Sequence, residues 1–286
     1  MPYISVGKEN SGSVEIYYED HGSGRPVVLI HGWPLSSASW EKQVPVLLEA
    51  GYRVIMYDRR GFGKSSKPTY GYDYDTLAND LNRLMTKLSL HHATVVGFSM
   101  GGGEVARYVG LHGTRRLERV VFMSAVTPFL LKTPDNPEGV EGGVFDGLKK
   151  SIVADRPALV STFLSKFFNF DSLHGTRISD DAVQACWNAA IDASPTGTLD
   201  CVSSWLEDFR KDLKRIDVPT LVIHGDADQI LPLPSTGKRM PGFVKDCQLV
   251  VIKDGPHGLN WTHSEEVNRE LLAFIGAESL VGAAGG

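Results

Sequence analysis

The amino-acid sequence predicts an α/β fold in which a mostly parallel sheet of eight strands is flanked by helices. Short runs rich in valine, isoleucine and leucine alternate along the chain with segments of helical periodicity, as crossover connections between parallel strands require. Most of these runs are apolar at every position, which is typical of strands buried on both faces. At 286 residues and 42% hydrophobic, the chain is long enough to form one large domain.

The first two predicted strands, residues 3–6 and 14–19, form an antiparallel pair at the start of the chain. The other six predicted strands are the apolar runs 27–30, 54–57, 94–96, 120–123, 221–223 and 249–252. Helical periodicity marks about 40–50, 74–88, 102–111, 234–239 and 265–275.

One segment of about ninety residues, 127–217, interrupts the alternation because it carries no strand signal. It opens with a proline- and glycine-rich stretch at 133–139 and then becomes helical and aromatic. We interpret it as a helical cap inserted into a sheet domain made of residues 1–126 and 218–276. The tail, 277–286, consists of small residues and is expected to be disordered.

Charge and composition exclude several classes of partner. The net charge is −5 with acids and bases interspersed, so we expect no nucleic-acid partner. No apolar run approaches the roughly 20 residues that span a bilayer, so we expect no membrane partner. The N-terminal residues lack a signal pattern, and the three cysteines, Cys186, Cys201 and Cys247, lack metal or redox spacing. These features predict a cytoplasmic protein without a metal.

The most informative motif is G-x-S-x-G at residues 97–101, which read GFSMG. It lies between a predicted strand and a predicted helix, which is the context of a nucleophile elbow. The sharp turn of such an elbow strains the serine backbone and raises its hydroxyl above the sheet, and the flanking glycines leave room for the neighbouring strand and helix. Ser99 is therefore the candidate nucleophile.

A serine hydroxyl needs a base, and the base needs an acid to orient it. Hydrolases with this elbow carry nucleophile, acid and histidine in that order along the chain. His257 follows the last predicted strand in a loop between two glycines. Asp226 and Asp228 both follow the strand before it; we favour Asp228 as the acid, because Asp226 suits a turn with its own backbone, and Asp226 stays the alternative.

An oxyanion formed during acyl transfer needs two backbone N–H donors. Met100, which follows the candidate nucleophile, is one candidate, and Trp33, in the loop after the third strand, is the other.

His31 in that loop is expected to be structural, and Asp58 is expected to shape a turn by pairing with an arginine. The other histidines are expected in turns or on the surface and receive no role: His21, His91, His92, His112, His174, His224 and His263.

Five segments together resemble one family, the cofactor-free bacterial haloperoxidase group of the α/β-hydrolases: 31–35 (HGWPL), 57–66 (YDRRGFGKSS), 97–104 (GFSMGGGE), 205–210 (WLEDFR) and 256–259 (PHGL). The resemblance covers about residues 3–275. It implies the α/β-hydrolase fold, a triad of Ser99, Asp228 and His257, an oxyanion hole from Trp33 and Met100, and a helical cap. It also implies that the protein needs no cofactor.

The resemblance implies acyl-enzyme chemistry on small esters, lactones or lactams, since the group includes aryl esterases, perhydrolases and γ-lactamases. In that group, peroxide replaces water as the acceptor and the released peracid oxidises halide in solution. Perhydrolysis as the main activity is one alternative, and a non-catalytic ligand receptor is another. The resemblance further implies a homo-oligomer, although no surface stripe in the sequence demonstrates one.

Aromatic residues of the cap are candidates for the substrate pocket, together with aromatic residues near the elbow. We predict that Phe98, Phe129 and Trp205 line the pocket, in the neighbourhood of Trp33. The alternative is that the cap aromatics form the core of the cap itself. A serine at the nucleophile position disfavours haloalkane dehalogenase and epoxide hydrolase activities, because enzymes of the same fold with those activities use aspartate.

Overall fold

A computed structural model describes residues 2–276 of the chain. Within them, eight strands form one sheet: β1 (Tyr3–Glu9), β2 (Gly12–His21), β3 (Pro26–Ile30), β4 (Arg53–Tyr57), β5 (Ala93–Phe98), β6 (Leu117–Met123), β7 (Thr220–Gly225) and β8 (Cys247–Ile252). Their order across the sheet is β1-β2-β4-β3-β5-β6-β7-β8. The β1–β2 and β2–β4 pairs are antiparallel and the other pairs are parallel. The predicted fold class is confirmed.

Helices flank the sheet and fill the connections between its strands: α1 (Val44–Glu49), α2 (Tyr74–Lys87), α3 (Met100–His112), α4 (Gly142–Phe167), α5 (Phe170–Leu173), α6 (Asp180–Asp192), α7 (Pro195–Ser204), α8 (Arg210–Leu213), α9 (Leu259–Thr262) and α10 (Ser264–Gly276). Local chemistry sets their ends. The carboxylate of Asp73, for example, accepts a 2.8 Å hydrogen bond from the Thr76 N–H and so caps α2. None of the helices in the described part of the chain is both long and apolar enough to cross a membrane.

Two predicted helices differ from the observed structure. The segment predicted at 40–50 begins with a 3₁₀ turn, Ser37–Trp40, and its α-helix starts only at Val44. The segment predicted at 234–239 consists of two 3₁₀ turns, Leu233–Ser235 and Gly237–Gly242. Proline and glycine explain the second difference, because neither residue favours a continuous α-helix.

The segment 127–217, which we call the cap segment, holds five helices, α4 to α8, among its described residues. Helix α4 bends at Asp155, whose φ of −159° and ψ of 86° are not helical. The Asp155 carboxylate accepts a 3.0 Å hydrogen bond from the Ala158 N–H, so it caps the second half of α4, with Pro157 in the first turn. The division of the chain into core and cap stays a prediction, and the predicted tail, 277–286, lies outside the described residues.

The strand order reverses between β3 and β5, because the chain builds β4 on one side of β3 and then continues from β5 on the other side. In open α/β sheets, ligands bind at the carboxyl ends of the strands where the order reverses. The loops after β3, β5, β7 and β8 all leave that edge of the sheet. They carry Trp33, Ser99, Asp228 and His257 respectively.

Candidate active site

Ser99 lies in the sharp turn between β5 and α3. Its backbone has a φ of 54° and a ψ of −119°, in a region that residues other than glycine rarely adopt. The turn is held by hydrogen bonds from the Ser99 N–H to the Met123 carbonyl at 2.9 Å and from the Val126 N–H to the Ser99 carbonyl at 3.2 Å. This is the strained backbone that the G-x-S-x-G motif predicts.

The glycines of the motif permit two close backbone approaches. A Cβ atom at Gly97 would lie 2.5 Å from the Gly101 carbonyl oxygen. A Cβ atom at Gly101 would lie 2.6 Å from the Ile30 carbonyl oxygen of β3. Both distances are shorter than van der Waals contact. Glycine at position 97 therefore lets the turn of the elbow close, and glycine at position 101 lets the elbow pack against β3.

Ser99, His257 and Asp228 form a continuous hydrogen-bonded chain. The Ser99 Oγ lies 2.8 Å from the His257 Nε2, and the His257 Nδ1 lies 2.8 Å from the Asp228 Oδ2. A carboxylate accepts but does not donate, so the Nδ1 carries the proton and the Nε2 is free to accept the proton of the serine hydroxyl. The three side chains are almost fully buried, with Ser99 only 7% exposed.

The two candidate acids occupy different environments. The Asp228 Oδ1 accepts hydrogen bonds of 2.8 Å from the N–H groups of Ile230 and Leu231, which leaves its Oδ2 directed at His257. Asp226 is exposed, and its Oδ1 accepts a 2.7 Å hydrogen bond from the Asp254 N–H. The structure therefore brings Asp228 to the histidine. Asp226 lies in a turn, as expected, but its carboxylate bonds to the backbone of the loop after β8 rather than to its own backbone.

Burial alone would raise the pKa of Asp228, because it disfavours the charged carboxylate. The charge of His257 and the hydrogen bonds from His224 and His257 outweigh burial and hold the pKa of Asp228 well below its usual range. The carboxylate is therefore ionised at neutral pH, as an acid that orients a histidine must be.

His224 is a neighbour of this carboxylate that no sequence motif indicated. His224 was expected in a turn or on the surface but lies in β7 and is buried, so that expectation was wrong for it; His263 lies in a turn, as expected, and is buried there. The His224 Nε2 lies 3.2 Å from the Asp228 Oδ2. The available signal was its position, four residues before Asp228 and directly after the apolar run predicted as β7.

Two phenylalanine rings enclose the imidazole of His257. The ring of Phe98 is tilted against it with 5.2 Å between the ring centroids, and Phe167 of α4 meets it edge-on at 5.1 Å. The Phe167 carbonyl also accepts a 2.8 Å hydrogen bond from the Gly258 N–H, next to His257. The end of α4 thus contacts both the ring of the histidine and the backbone of the residue that follows it.

The N–H groups of Met100 and Trp33 are the predicted oxyanion donors. Met100 is the first residue of α3, where backbone N–H groups have no partner within the helix and the helix dipole favours negative charge. Neither N–H donates a hydrogen bond within residues 2–276. The Trp33 side chain is held in place by a 3.1 Å hydrogen bond from its Nε1 to the Thr198 carbonyl of the cap segment.

His31 pins the loop that carries Trp33. Its Nδ1 lies 2.8 Å from the Gly32 carbonyl and its Nε2 accepts a 3.0 Å hydrogen bond from the Arg59 N–H. Burial and the nearby charge of Arg59 hold the pKa of His31 well below its usual range. His31 is therefore neutral and donates from Nδ1, which is the structural role predicted for it.

A buried ion pair lies behind this loop. The guanidinium of Arg59 donates from Nε to Glu104 of α3 at 2.9 Å and from Nη2 to the His31 carbonyl at 2.9 Å. Both charged side chains are 1% exposed, and the Tyr57 hydroxyl donates a further hydrogen bond to Glu104. Arg59 thereby links the helix that follows Ser99 to the loop that carries Trp33.

The expected pairing of Asp58 with an arginine is wrong. The Asp58 carboxylate accepts hydrogen bonds of 2.8 Å from two backbone N–H groups, those of Ser37 and Lys64. The neighbouring arginines have other partners: Arg59 pairs with Glu104, and Arg60 pairs with Asp80 at 2.7 Å. Both partner carboxylates come from helices distant in sequence.

Aromatic side chains from the core and the cap segment meet around Trp33. The rings of Trp205 and Phe163 each lie edge-on to it, with 5.0 Å between centroids. Of the three predicted pocket residues, Phe98 contacts His257 and Trp205 contacts Trp33. The ring of Phe129 instead lies against the Arg210 guanidinium at 4.9 Å.

Comparison with known proteins shows the family of this chain. Residues 25–264 match the family model described as the alpha/beta hydrolase fold. The non-heme chloroperoxidase CPO-A1 of Kitasatospora aureofaciens is 43% identical over 265 residues, covering 92% of this chain and 96% of the relative. The bifunctional esterase/perhydrolase DCH of Acinetobacter calcoaceticus is 36% identical, with 96% and 99% covered. The crystal structure of bromoperoxidase from Bacillus anthracis superposes with a TM-score of 0.93 at 49% identity and covers 96% of this chain and 99% of its own.

The fold, the elbow and the match over most of its length define the chain as an enzyme of the α/β-hydrolase family. Within that family it belongs to the group that contains non-heme haloperoxidases and esterases, as the resemblance in its motifs predicted. Members of this group act on small molecules.

Proposed function

We propose that this protein is a serine hydrolase that cleaves small carboxylic esters through an acyl-enzyme on Ser99, and that it transfers the acyl group to hydrogen peroxide as well as to water. The observation that carries the proposal is the hydrogen-bonded chain from the Ser99 Oγ through His257 to Asp228, with 2.8 Å at each step. In this arrangement His257 is the base and Asp228 the residue that orients it.

In the first step the Ser99 Oγ attacks the carbonyl carbon of the ester while its proton passes to the His257 Nε2. Asp228 stabilises the imidazolium that forms, and the N–H groups of Trp33 and Met100 donate to the oxyanion. The bond from the carbonyl carbon to the leaving oxygen then breaks, and His257 returns its proton to the leaving alcohol. The acyl group remains on Ser99 as an ester.

In the second step His257 removes a proton from the acceptor, which attacks the acyl-enzyme, and the Ser99 oxygen leaves with that proton. Water as the acceptor gives a carboxylic acid, and hydrogen peroxide gives a peracid. The peracid oxidises halide in solution, outside the protein. The names of the chloroperoxidase and esterase/perhydrolase relatives support both acceptors.

Burial of the site favours small substrates. Ser99 is 7% exposed and His257 is fully buried, and the surrounding side chains are mainly aromatic. Such a site suits short or aromatic acyl groups rather than long lipids. Lactones and lactams fit the same chemistry, because the ring oxygen or nitrogen takes the place of the leaving group and stays attached to the acyl chain.

A second candidate is that perhydrolysis is the main activity. The names of the haloperoxidase relatives and of the bromoperoxidase structure favour it. It predicts that millimolar hydrogen peroxide competes with water for the acyl-enzyme, so that peracid exceeds acid among the products. The esterase proposal predicts the opposite ratio.

The test is the hydrolysis of p-nitrophenyl acetate, followed by stopped flow with and without hydrogen peroxide, with peracid and acetate both quantified. We expect a burst of nitrophenol followed by steady turnover. The Ser99→Ala variant should show no burst, and its steady-state kcat should fall by roughly a thousandfold or more. Ser124→Ala is the matched control, because Ser124 is a buried serine with a positive φ at the end of the neighbouring strand β6.

Turnover that survives in the Ser99→Ala variant would contradict the proposal. Negligible turnover by the wild-type protein with several short esters, lactones and lactams would also contradict it and would favour a ligand receptor on the same fold.

A further inference from the structure

His224 lies at the end of β7 with its side chain fully buried. Its Nε2 lies 2.8 Å from the Leu231 carbonyl oxygen and 3.2 Å from the Asp228 Oδ2. The same carboxylate oxygen accepts the hydrogen bond from the His257 Nδ1. Two imidazole rings therefore share one oxygen of Asp228.

The partners of His224 fix the position of its proton. A carbonyl oxygen and a carboxylate oxygen both only accept, so the Nε2 must carry the hydrogen. The Nδ1 is buried and has no hydrogen-bond partner within the described residues. A Cβ atom at Gly237 would lie only 2.7 Å from the Nδ1, so the backbone closes over this nitrogen. A second proton there would be buried without an acceptor among the described residues.

Four donors therefore surround the Asp228 carboxylate. The Oδ1 accepts from the N–H groups of Ile230 and Leu231, and the Oδ2 accepts from His257. The His224 Nε2–H, which donates to the Leu231 carbonyl at 2.8 Å, lies 3.2 Å from the same Oδ2. The side chain of Asp228 has no exposed surface, so these four groups supply the stabilisation of its charge. A neutral donor at the Oδ2 draws charge away from the oxygen that faces His257.

We propose that His224 is a positioning residue that donates its Nε2–H to Asp228 and thereby limits how strongly Asp228 stabilises protonated His257. This proposal rests on the proposed function, in which His257 is the base. Its consequence is that His257 gives up its proton to the leaving group more readily and stays unprotonated, and active, at lower pH than it would without His224.

Asp228 is the charged group that pairs with His224, and the strands on either side place apolar residues there. Strand β8 places Val251 beside it, and β6 ends with Met123 beside the preceding residue. The charged side chains on the adjoining elements have other environments: Lys238 is exposed, Arg239 lies near Glu138, and Arg119 lies near Glu118. His257, across the Oδ2, is the other titratable group in this cluster.

The test compares His224→Phe, which removes the donor and keeps the ring shape, with His224→Gln, whose amide N–H can still reach Asp228. The measurement is kcat/KM for p-nitrophenyl acetate from pH 4 to 9. We expect the midpoint of the acidic limb to rise by about half to one pH unit in His224→Phe, the equivalent of one hydrogen bond. It should stay near the wild-type position in His224→Gln.

An acidic limb in His224→Phe that stays at the wild-type midpoint, or moves to lower pH, would overturn the proposal. A merely structural His224 would lower the thermal midpoint of both variants without moving the limb. If neither variant folds, ¹⁵N chemical shifts of the histidines in the wild-type protein show which ring nitrogen of His224 carries the proton. The proposal requires a His224 protonated on Nε2 alone from pH 5 to 9, and a proton on Nδ1 overturns it.

Failure of this proposal is distinguishable from failure of the proposed function. If Ser99 is not the nucleophile, Ser99→Ala keeps its activity, whatever His224 does. If only the role of His224 is wrong, Ser99→Ala is inactive and the acidic limb of His224→Phe is unchanged.

Discussion

Phe167 contacts His257 through its side chain and the next residue, Gly258, through its backbone, although Phe167 and His257 are 90 positions apart in the sequence. The Phe167 ring meets the imidazole edge-on, with 5.1 Å between centroids, and its carbonyl accepts the hydrogen bond from Gly258, the next residue after the histidine. Nearby, the side-chain amide of Asn169 donates to the Ala227 carbonyl at 2.8 Å. The end of α4 therefore holds the loop of the base, and Asn169, just before α5, holds the loop of the acid.

Phe167→Leu tests this contact. Leucine retains most of the apolar volume but not the flat ring edge, so we expect a loss of about 1 kcal/mol in the free energy of unfolding. The imidazole gains freedom, so kcat should fall roughly tenfold while KM changes less. Steady-state kinetics and urea unfolding measure the two effects. Phe170→Leu is the control, because Phe170 is half-buried against His174, and an equal loss of kcat there would contradict this role of Phe167.

The two candidate acids can be separated by matched substitutions. Asp228→Asn keeps the shape of the side chain but removes the charge that stabilises the protonated histidine, so we expect kcat to fall by about ten-thousandfold. Asp226→Asn should leave kcat within roughly tenfold of wild type, because its carboxylate bonds the backbone of the loop after β8 and does not contact His257. Kinetics with p-nitrophenyl acetate decide between them, and a larger loss in Asp226→Asn would reverse the assignment.

The loop after β3 must stay close to the elbow if Trp33 is to donate to an oxyanion. A Cβ atom at Gly32 would lie 2.8 Å from the ring of Phe98 and 3.0 Å from the Cβ of Ser99. Gly32→Ala should therefore displace the Trp33 N–H and lower kcat by about a hundredfold, as the loss of one oxyanion donor does. Gly147→Ala, in α4 with open space around it, is the control. Equal kinetics in the two variants would exclude this function of the loop.

The buried pair of Arg59 and Glu104 is expected to contribute strongly to stability. Glu104→Gln leaves the guanidinium buried without a counter-charge, so we expect a loss of about 3–5 kcal/mol in the free energy of unfolding. The exposed pair of Arg53 and Asp20 is the comparison, and Asp20→Asn should cost about 1 kcal/mol or less. Urea unfolding of both variants measures the difference. A similar loss of unfolding free energy in Glu104→Gln and Asp20→Asn would contradict the expectation that burial makes the Arg59–Glu104 pair the more costly one to break.

Much of the fold could be predicted from the sequence because the signals were local. Each predicted strand lies within an observed strand, since an apolar run bounded by turn residues specifies a buried strand with little help from the rest of the chain. The positions of Ser99 and His257 after β5 and β8 followed from the same pattern. The helix predicted at 234–239 was wrong. Helical periodicity takes no account of how Gly237 and Pro241 restrict the backbone, and the structure has 3₁₀ turns there.

What the sequence did not reveal depends on contacts between distant segments. The partner of Arg59 is Glu104, on another element, and an interpretation from neighbouring residues favoured Asp58 instead. His224 is close to Asp228 in the sequence, but its burial and its shared contact with His257 depend on how β7 and β8 pack. Contacts of this kind can be read only from the folded sheet, because spacing along the chain does not determine which side chains meet.

The most direct test of the proposed chemistry is to trap the acyl-enzyme. The protein is quenched in acid during turnover of p-nitrophenyl acetate, digested, and mapped by mass spectrometry. We predict one acetyl group, on the peptide that contains Ser99, and none on that peptide in Ser99→Ala. Turnover without an acetylated Ser99, or with the acetyl group on another residue, would contradict a serine mechanism at this site.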